Sequence, residues 1–127
     1  MYDILIIGAG PAGISIAVEA VHAKFEAEKI ILIEKADEHS YAIKKYYPDK
    51  KLVTANYKGF EAKCTGVMCI PDMTKQETIS YLDKAIKVNN LQVKYSEIVW
   101  KFHQNEDKTF IVYTDKGEYA ARIVAIA

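Results

Sequence analysis

Ile4-Leu5-Ile6-Ile7-Gly8-Ala9-Gly10-Pro11-Ala12-Gly13 opens the chain, and Lys29-Ile30-Ile31-Leu32-Ile33-Glu34 follows it. Residues 3 to 7 are β-rich and almost continuously apolar, the pattern of a strand buried on both faces of a parallel sheet. Residues 11 to about 23 predict a helix. Pro11 suits its first turn, where the missing N–H costs nothing. Ile14, Ile16, Ala17, Val18, Ala20 and Val21 make this helix apolar nearly all round, so it is expected to be buried. Residues 29 to 33 predict a second buried strand, which ends at Glu34. Strand, helix and strand make a βαβ unit with a right-handed crossover.

Between the first strand and the helix stands G-x-G-x-x-G, in the context that gives the pattern physical meaning. Gly8 allows a tight turn out of the strand. Gly10 lets a pyrophosphate approach the backbone, and Gly13 lets the helix pack closely on the sheet. The N–H groups and partial positive charge of the helix start face the same place, with Pro11 and Ala12 beside them. Glu34 lies 21 residues after Gly13, near the spacing at which a carboxylate accepts hydrogen bonds from an adenosine ribose. That charge repels a 2′-phosphate, which argues against NADP here. The alternative is a glycine turn in an ordinary α/β domain, with Glu34 a solvated strand end.

The rest of the chain is placed around this unit. Residues 35 to 73 carry charge, tyrosines and two prolines with little periodicity, and predict a long excursion with a short helix or strand in it. Thr74-Lys75-Gln76-Glu77 is a capping box. Ile79, Leu82 and Ile86 then mark one helical face, and Asn89-Asn90 is a stop. Residues 91 to 95 predict a third strand, and 97 to 103 with 108 to 114 an antiparallel meander around Gln104-Asn105-Glu106-Asp107. A turn at Asp115-Lys116-Gly117 leads to Glu118-Tyr119 and then to Arg122–Ala127, expected as another core strand. The sequence stops inside that strand, and it is expected to be part of a longer chain.

Composition narrows the classes. The chain has 127 residues, enough for one domain and not comfortably two. An enzyme with two nucleotide sites needs roughly two domains of about 100–150 residues each. Lys+Arg and Asp+Glu are 17 each, so the net charge is zero, without the basic footprint of a nucleic-acid binder or a membrane-surface protein. Half the residues are hydrophobic, which argues against disorder. No secretory leader or membrane span is visible, and the expected location is cytoplasmic.

Ile-Ile-Gly-Ala-Gly-Pro-Ala-Gly followed by Ile-Leu-Ile-Glu-Lys resembles the FAD-binding domain of flavoproteins with two dinucleotide sites. The likeness is to the thioredoxin reductase-like branch of the pyridine nucleotide–disulfide oxidoreductases. Pro71-Asp72-Met73-Thr74 opening a helix, the meander after it, and an ending similar to the approach to that family's Ala-Thr-Gly flavin motif all fit. Of that last motif only Ala127 is present. The resemblance implies FAD at the glycine motif, with Glu34 and Lys35 at the ribose and Glu97-Ile98 near the adenine. It implies NAD(P)H at a second glycine motif that this sequence does not contain. The family's Gly-Asp motif is absent too, which predicts poor FAD retention.

Cys64 and Cys69 form C-x-x-x-x-C. The spacing resembles the redox dithiol of the glutathione reductase-like branch, where the pair follows soon after the ribose-binding acid on a glycine-led helix. Here Cys64 is 30 residues past Glu34, inside the excursion. Two cysteines can bridge if their Cα atoms come within about 7 Å; the expectation is two independent, partly buried thiols. His22, His39 and His103 lack metal-ligand spacing, so no metal site is expected. Lys44–Lys51 is basic with two tyrosines and reads as a solvated loop, with phosphate contact or flavin cover as the alternative. Trp100 is expected in core or cover packing.

Together these features predict one α/β domain over residues 1–127, Rossmann-like and three-layered. Its parallel sheet has order 3-2-1-4 with an antiparallel β-meander on one face. The expected function is dinucleotide binding, as the FAD-binding part of an NAD(P)H-dependent flavin oxidoreductase. An NAD-binding dehydrogenase domain and a non-catalytic Rossmann-like module stand as alternatives. The cofactor-binding candidates are Gly8, Gly10, Pro11, Ala12, Gly13, Glu34, Lys35, Glu97, Ile98 and Ala127. Cys64 and Cys69 are the only redox candidates, and the chain alone is expected to be inactive. Nucleic acid and membrane are not expected partners; the intact protein could form a homodimer.

Overall fold

The computed structural model describes residues 1–54, 56, 59 and 63–127. Part of the expected excursion, at 55, 57, 58 and 60–62, lies outside the described residues. The elements run β1 (Tyr2–Ile7), α1 (Pro11–His22), β2 (Ile30–Ile33), α2 (Tyr41–Tyr46), β3 (Leu52–Val53), β4 (Met73–Thr74), α3 (Lys75–Val88), β5 (Gln92–Lys94), β6 (Val99–Gln104), β7 (Phe110–Thr114) and β8 (Gly117–Ile126). A 3-10 turn at Ala27–Lys29 leads into β2. The main sheet has the order β5-β2-β1-β8-β7-β6. Its first four strands are parallel and give the expected 3-2-1-4 order.

Successive side chains of a strand point to opposite faces, so the unbroken apolar run in β1 and β2 feeds two cores. Ile4, Ile6, Ile30 and Leu32 meet Ile14, Ala17 and Val18 of α1 and Leu82 of α3. Leu5, Ile31 and Ile33 meet Val112 of β7 and Ala121 of β8 on the other face. Helices, parallel sheet and meander are therefore three layers. Each fully buried Ile or Leu contributes about 1.5–3 kcal/mol through apolar burial, and the β1–β2 pair holds most of them.

β8 joins two of the layers. Its first half pairs antiparallel with β7, Gly117 through Ala121 against Thr114 through Phe110. Its second half pairs parallel with β1, Ile123 through Ile126 against Ile4 through Ile7. What the sequence divides into a meander strand and a separate core strand is one ten-residue strand.

The helix signals act as expected. Glu77 N–H donates to the Thr74 hydroxyl at 3.1 Å and Thr74 N–H to the Glu77 carboxylate at 3.0 Å. At the other end Asn90 turns the chain at φ 53°. Two burial expectations need correction. Ile16 faces outward from α1, because the helix packs only one side on the sheet. Trp100 is 65% exposed, with its ring 5.8 Å from that of Tyr113. β6 is the edge strand and is exposed on both faces from Trp100 to Gln104, so the pattern there brings no packing; a bulge between Val99 and Lys101 also inserts Trp100 as an extra residue. Among the described residues no helix is long and apolar enough to cross a membrane.

Candidate functional site

The ends of β1, β2 and β8, the start of α1 and the chain leading into α2 enclose a cleft of about 540 Å³. All ten cofactor-binding candidates line it: Gly8, Gly10, Pro11, Ala12, Gly13, Glu34, Lys35, Glu97, Ile98 and Ala127. The cleft sits outside the carboxyl ends of parallel strands, where open α/β sheets bind ligands.

The glycines differ in why they are glycine. Gly8 has φ +112°, a conformation that side chains disfavour, and a Cβ there would come 2.9 Å from the Ala127 carbonyl oxygen. A Cβ at Gly13 would be driven into the Gly8 carbonyl, far inside contact distance. A Cβ at Gly10 meets no protein atom within 4 Å. Its backbone, φ −86° and ψ −172°, is open to any residue. Packing and dihedral strain therefore explain Gly8 and Gly13 but not Gly10, whose open side faces the cleft. The helix beyond it has no side-chain cap and no acid in its first turn, so early N–H donors and the positive dipole end remain for an anion.

Glu34 is buried, and each carboxylate oxygen is engaged. Oε1 accepts from Ala9 N–H at 2.9 Å and Oε2 from Ala36 N–H at 2.7 Å. The carboxylate thus ties the glycine loop to the end of β2. A carboxylate has about four acceptor positions, so about two remain beside these contacts.

Glu97 and Ile98 are placed at the cleft but are largely occupied with the fold. Glu97 N–H donates to the Glu34 carbonyl at 3.1 Å, and Ile98 N–H to the Asp115 carboxylate at 2.8 Å. The Glu97 carboxylate accepts from the Thr114 hydroxyl at 2.8 Å. It also lies against Tyr119, whose phenol is pushed up to about 12 by burial first and by Glu97 second. Lys35 is exposed at the rim.

Sequence reasoning missed Ser40, Tyr41, Ala42 and Ile43, which line the same cleft. Ser40 N–H donates to the Ala9 carbonyl at 2.9 Å, so the excursion folds back onto the glycine loop. Ser40 has φ 54° and its side chain makes no cap bond; the serine signal points to an ordinary helix cap, not to this contact. Buried His39 holds it, with Nδ1 3.0 Å from Ser40 Oγ and Nε2 3.3 Å from Asp83. The Asp83 carboxylate only accepts, so neutral His39 carries its proton on Nε2 and takes the Ser40 hydroxyl at Nδ1. Burial, and then nearby Lys44, lower the His39 pKa below 6.5. The basic Lys44–Lys51 run stays outside the cleft. Lys44 pairs with Glu38 at 3.4 Å, and Lys45 and Lys51 lie over tyrosine rings.

Cys64 and Cys69 do not stay separate, contrary to expectation: they form a disulfide with Cα atoms 5.4 Å apart. The loop between them docks on the helices, which brings the sulfurs together. Val67 N–H donates to Glu19 of α1, and Cys69 N–H to the Tyr81 hydroxyl of α3 at 2.9 Å. The pair lines a second cleft that shares Pro11 and Ala12 with the first.

A family model described as "Pyridine nucleotide-disulphide oxidoreductase" matches residues 5–127. Ferredoxin--NADP reductase 2 of Shouchella clausii is 26% identical over 99% of this chain and 34% of its own length. The bacillithiol disulfide reductase Bdr of Staphylococcus aureus superposes with a TM-score of 0.73 at 22% identity, over 99% of this chain and 38% of its own, which shows a shared fold. A ferredoxin-flavin thioredoxin reductase of Clostridium acetobutylicum gives 0.69 at 27% identity, over 98% and 36%. The chain therefore spans little more than a third of these relatives' length.

Proposed function

The chain belongs to the pyridine nucleotide-disulphide oxidoreductase family, and from that premise we propose that it is the FAD-binding part of an NAD(P)H-dependent flavin oxidoreductase resembling thioredoxin reductase. The observation that carries this reading is Gly10: a glycine that neither packing nor backbone angle requires, at a helix start whose early donors lack a side-chain cap. Open space at an uncapped helix start is where a pyrophosphate approaches the backbone in this kind of turn. Glu34, fixed by Ala9 and Ala36, presents its remaining acceptor positions to an adenosine ribose and repels a 2′-phosphate. Gly8 and Gly13 keep the loop tight enough for the helix end to reach the phosphates. Ile7, Ile33 and Val99 add apolar walls.

A flavin held there would supply the redox chemistry. The residues here bind and orient it. Residues 1–127 form one domain of a longer protein in this reading, and the nicotinamide site belongs to a second domain.

Titration of the chain with FAD, followed by flavin fluorescence and visible absorbance, tests the reading. One FAD per chain is expected, bound weakly enough to be lost on gel filtration. Gly10→Ala should weaken it at least about tenfold, or 1.4 kcal/mol, while leaving stability unchanged or raised by at most about 1 kcal/mol. Absence of saturable FAD binding, or tighter binding of NADP than of FAD, overturns the assignment.

A further inference from the structure

Ser40 stands where a glycine would fit with less strain. Its backbone is left-handed, φ 54° and ψ 36°, a conformation that residues with a side chain rarely adopt. It is 1% exposed and lines the cleft at the glycine loop. Its N–H holds the carbonyl of Ala9, which lies between the first two glycines of the turn. Its hydroxyl caps no helix and lies 3.0 Å from His39 Nδ1. His39 Nε2 lies 3.3 Å from Asp83 of α3, whose side chain is 43% exposed. Asp83, His39, Ser40 and Ala9 thus form one hydrogen-bonded chain from the surface of α3 to the glycine loop.

The charges around His39 are matched without it. Glu38 beside it pairs with Lys44 of α2 at 3.4 Å, and Asp83 pairs with Lys87 of α3 at 2.8 Å. Tyr95, just after β5, feels Asp83 and Glu34, and its pKa is raised, by burial first, so it stays a neutral phenol. A proton on His39 therefore adds one net positive charge to a buried place, and burial, then Lys44, keep its pKa below 6.5. In the neutral state Nε2–H donates to Asp83 and Nδ1 accepts the Ser40 hydrogen. Protonation reverses the second bond. Nδ1–H then donates to Ser40 Oγ, and the hydroxyl hydrogen turns to another acceptor. An anion at the glycine turn supplies what this state lacks: a negative charge nearby and an acceptor for the released hydrogen.

We propose that His39 is a positioning residue that couples the cleft to solvent protons: an anionic ligand at the glycine turn binds more tightly when His39 is protonated, and its binding takes up a proton there. The ligand raises the proton affinity of His39 by the same factor as the proton raises the ligand's affinity. The inference rests on the reading of this cleft as a dinucleotide site and adds to it a linked proton and the residues that carry it. A purely structural role for His39 has the opposite sign, since the fold loses stability as the histidine charges.

FAD titrations of the chain between pH 5.5 and 8 test this, because the phosphates of FAD keep their charge across that range. Affinity is expected to rise about threefold or more from pH 8 to pH 5.5. Proton uptake should appear as binding heats that depend on the ionisation enthalpy of the buffer. His39→Gln should flatten the profile and abolish the uptake. Ser40→Gly keeps the left-handed turn but has no hydroxyl, and should lose most of the rise. Asp83→Asn keeps an acceptor without its charge and should move the rise to lower pH; it also reads the coupling if His39→Gln does not fold. FAD that binds with a flat profile, or more weakly on acidification, overturns the coupling and leaves the FAD assignment standing. An unchanged rise in His39→Gln places the proton elsewhere and overturns the coupling as well. No saturable binding at any pH overturns the assignment and the coupling together.

Discussion

The cleft at the glycine loop, residues 8–13, and the cleft at the cysteine loop, residues 64–69, share Pro11 and Ala12. Each has a glycine pressed against a neighbour, yet the neighbours differ in kind. Gly13 abuts the backbone carbonyl of Gly8, which β1 and α1 fix from either side. Gly66 abuts the carboxylate end of Glu19, a flexible side chain on the surface. The first contact is part of the sheet–helix joint and cannot give. The second is a docking contact that can swing away. The first loop is thus fixed by backbone on both sides, and the second by side chains that can adjust.

Substitution at the two glycines should therefore give unequal results. Gly13→Ala is expected to cost about 3 kcal/mol, because backbone must move, and a fall in the urea midpoint would measure it. It should abolish dinucleotide binding as well. Gly66→Ala is expected to cost about 1 kcal/mol, the value of one hydrogen bond at an exposed donor, once Glu19 releases Val67. A loss at Gly66 as large as at Gly13 would remove the distinction between the loops.

The smallest effect expected is on pH dependence. The His39 pKa is lowered in the fold from 6.5, so below that value the unfolded chain binds more protons than the native one. Stability should then fall as pH drops through and below 6.5, where the unfolded histidine charges first, and should not depend on His39 at higher pH. Urea midpoints across pH 5 to 8 for the wild type and His39→Gln should show a slope that the variant flattens. The effect belongs to the glycine side, since His39 holds Ser40 and Ser40 holds Ala9.

The glycine site was legible because its parts are local. Strand, turn, helix and acid lie within residues 3–34, and the period of the apolar residues declares each element. The capping box and the meander turns were legible for the same reason. Trp100 was misplaced because β6 is an edge strand that nothing among the described residues covers on either face, and its own sequence does not mark it as an edge. Ser40 was missed because its role is to meet Ala9, 31 positions earlier, in a backbone conformation unlike a normal cap. The Lys44–Lys51 run was read as solvated surface, and its lysines do cover tyrosine rings and Glu38 outside the cleft.

By itself the sequence determined a βαβ unit with a glycine turn between strand and helix and a carboxylate at the next strand end. Those features follow from residues a few positions apart, whose geometry short-range backbone sterics set. Only the tertiary structure decided that Glu34 clamps the loop through Ala9 and Ala36, that Ser40 closes the cleft, and that Cys64 meets Cys69 over the start of α1. Each of these joins segments with no periodic relation in sequence. Their meeting depends on how the helices pack on the sheet, and the sequence of either segment alone carries no record of the other.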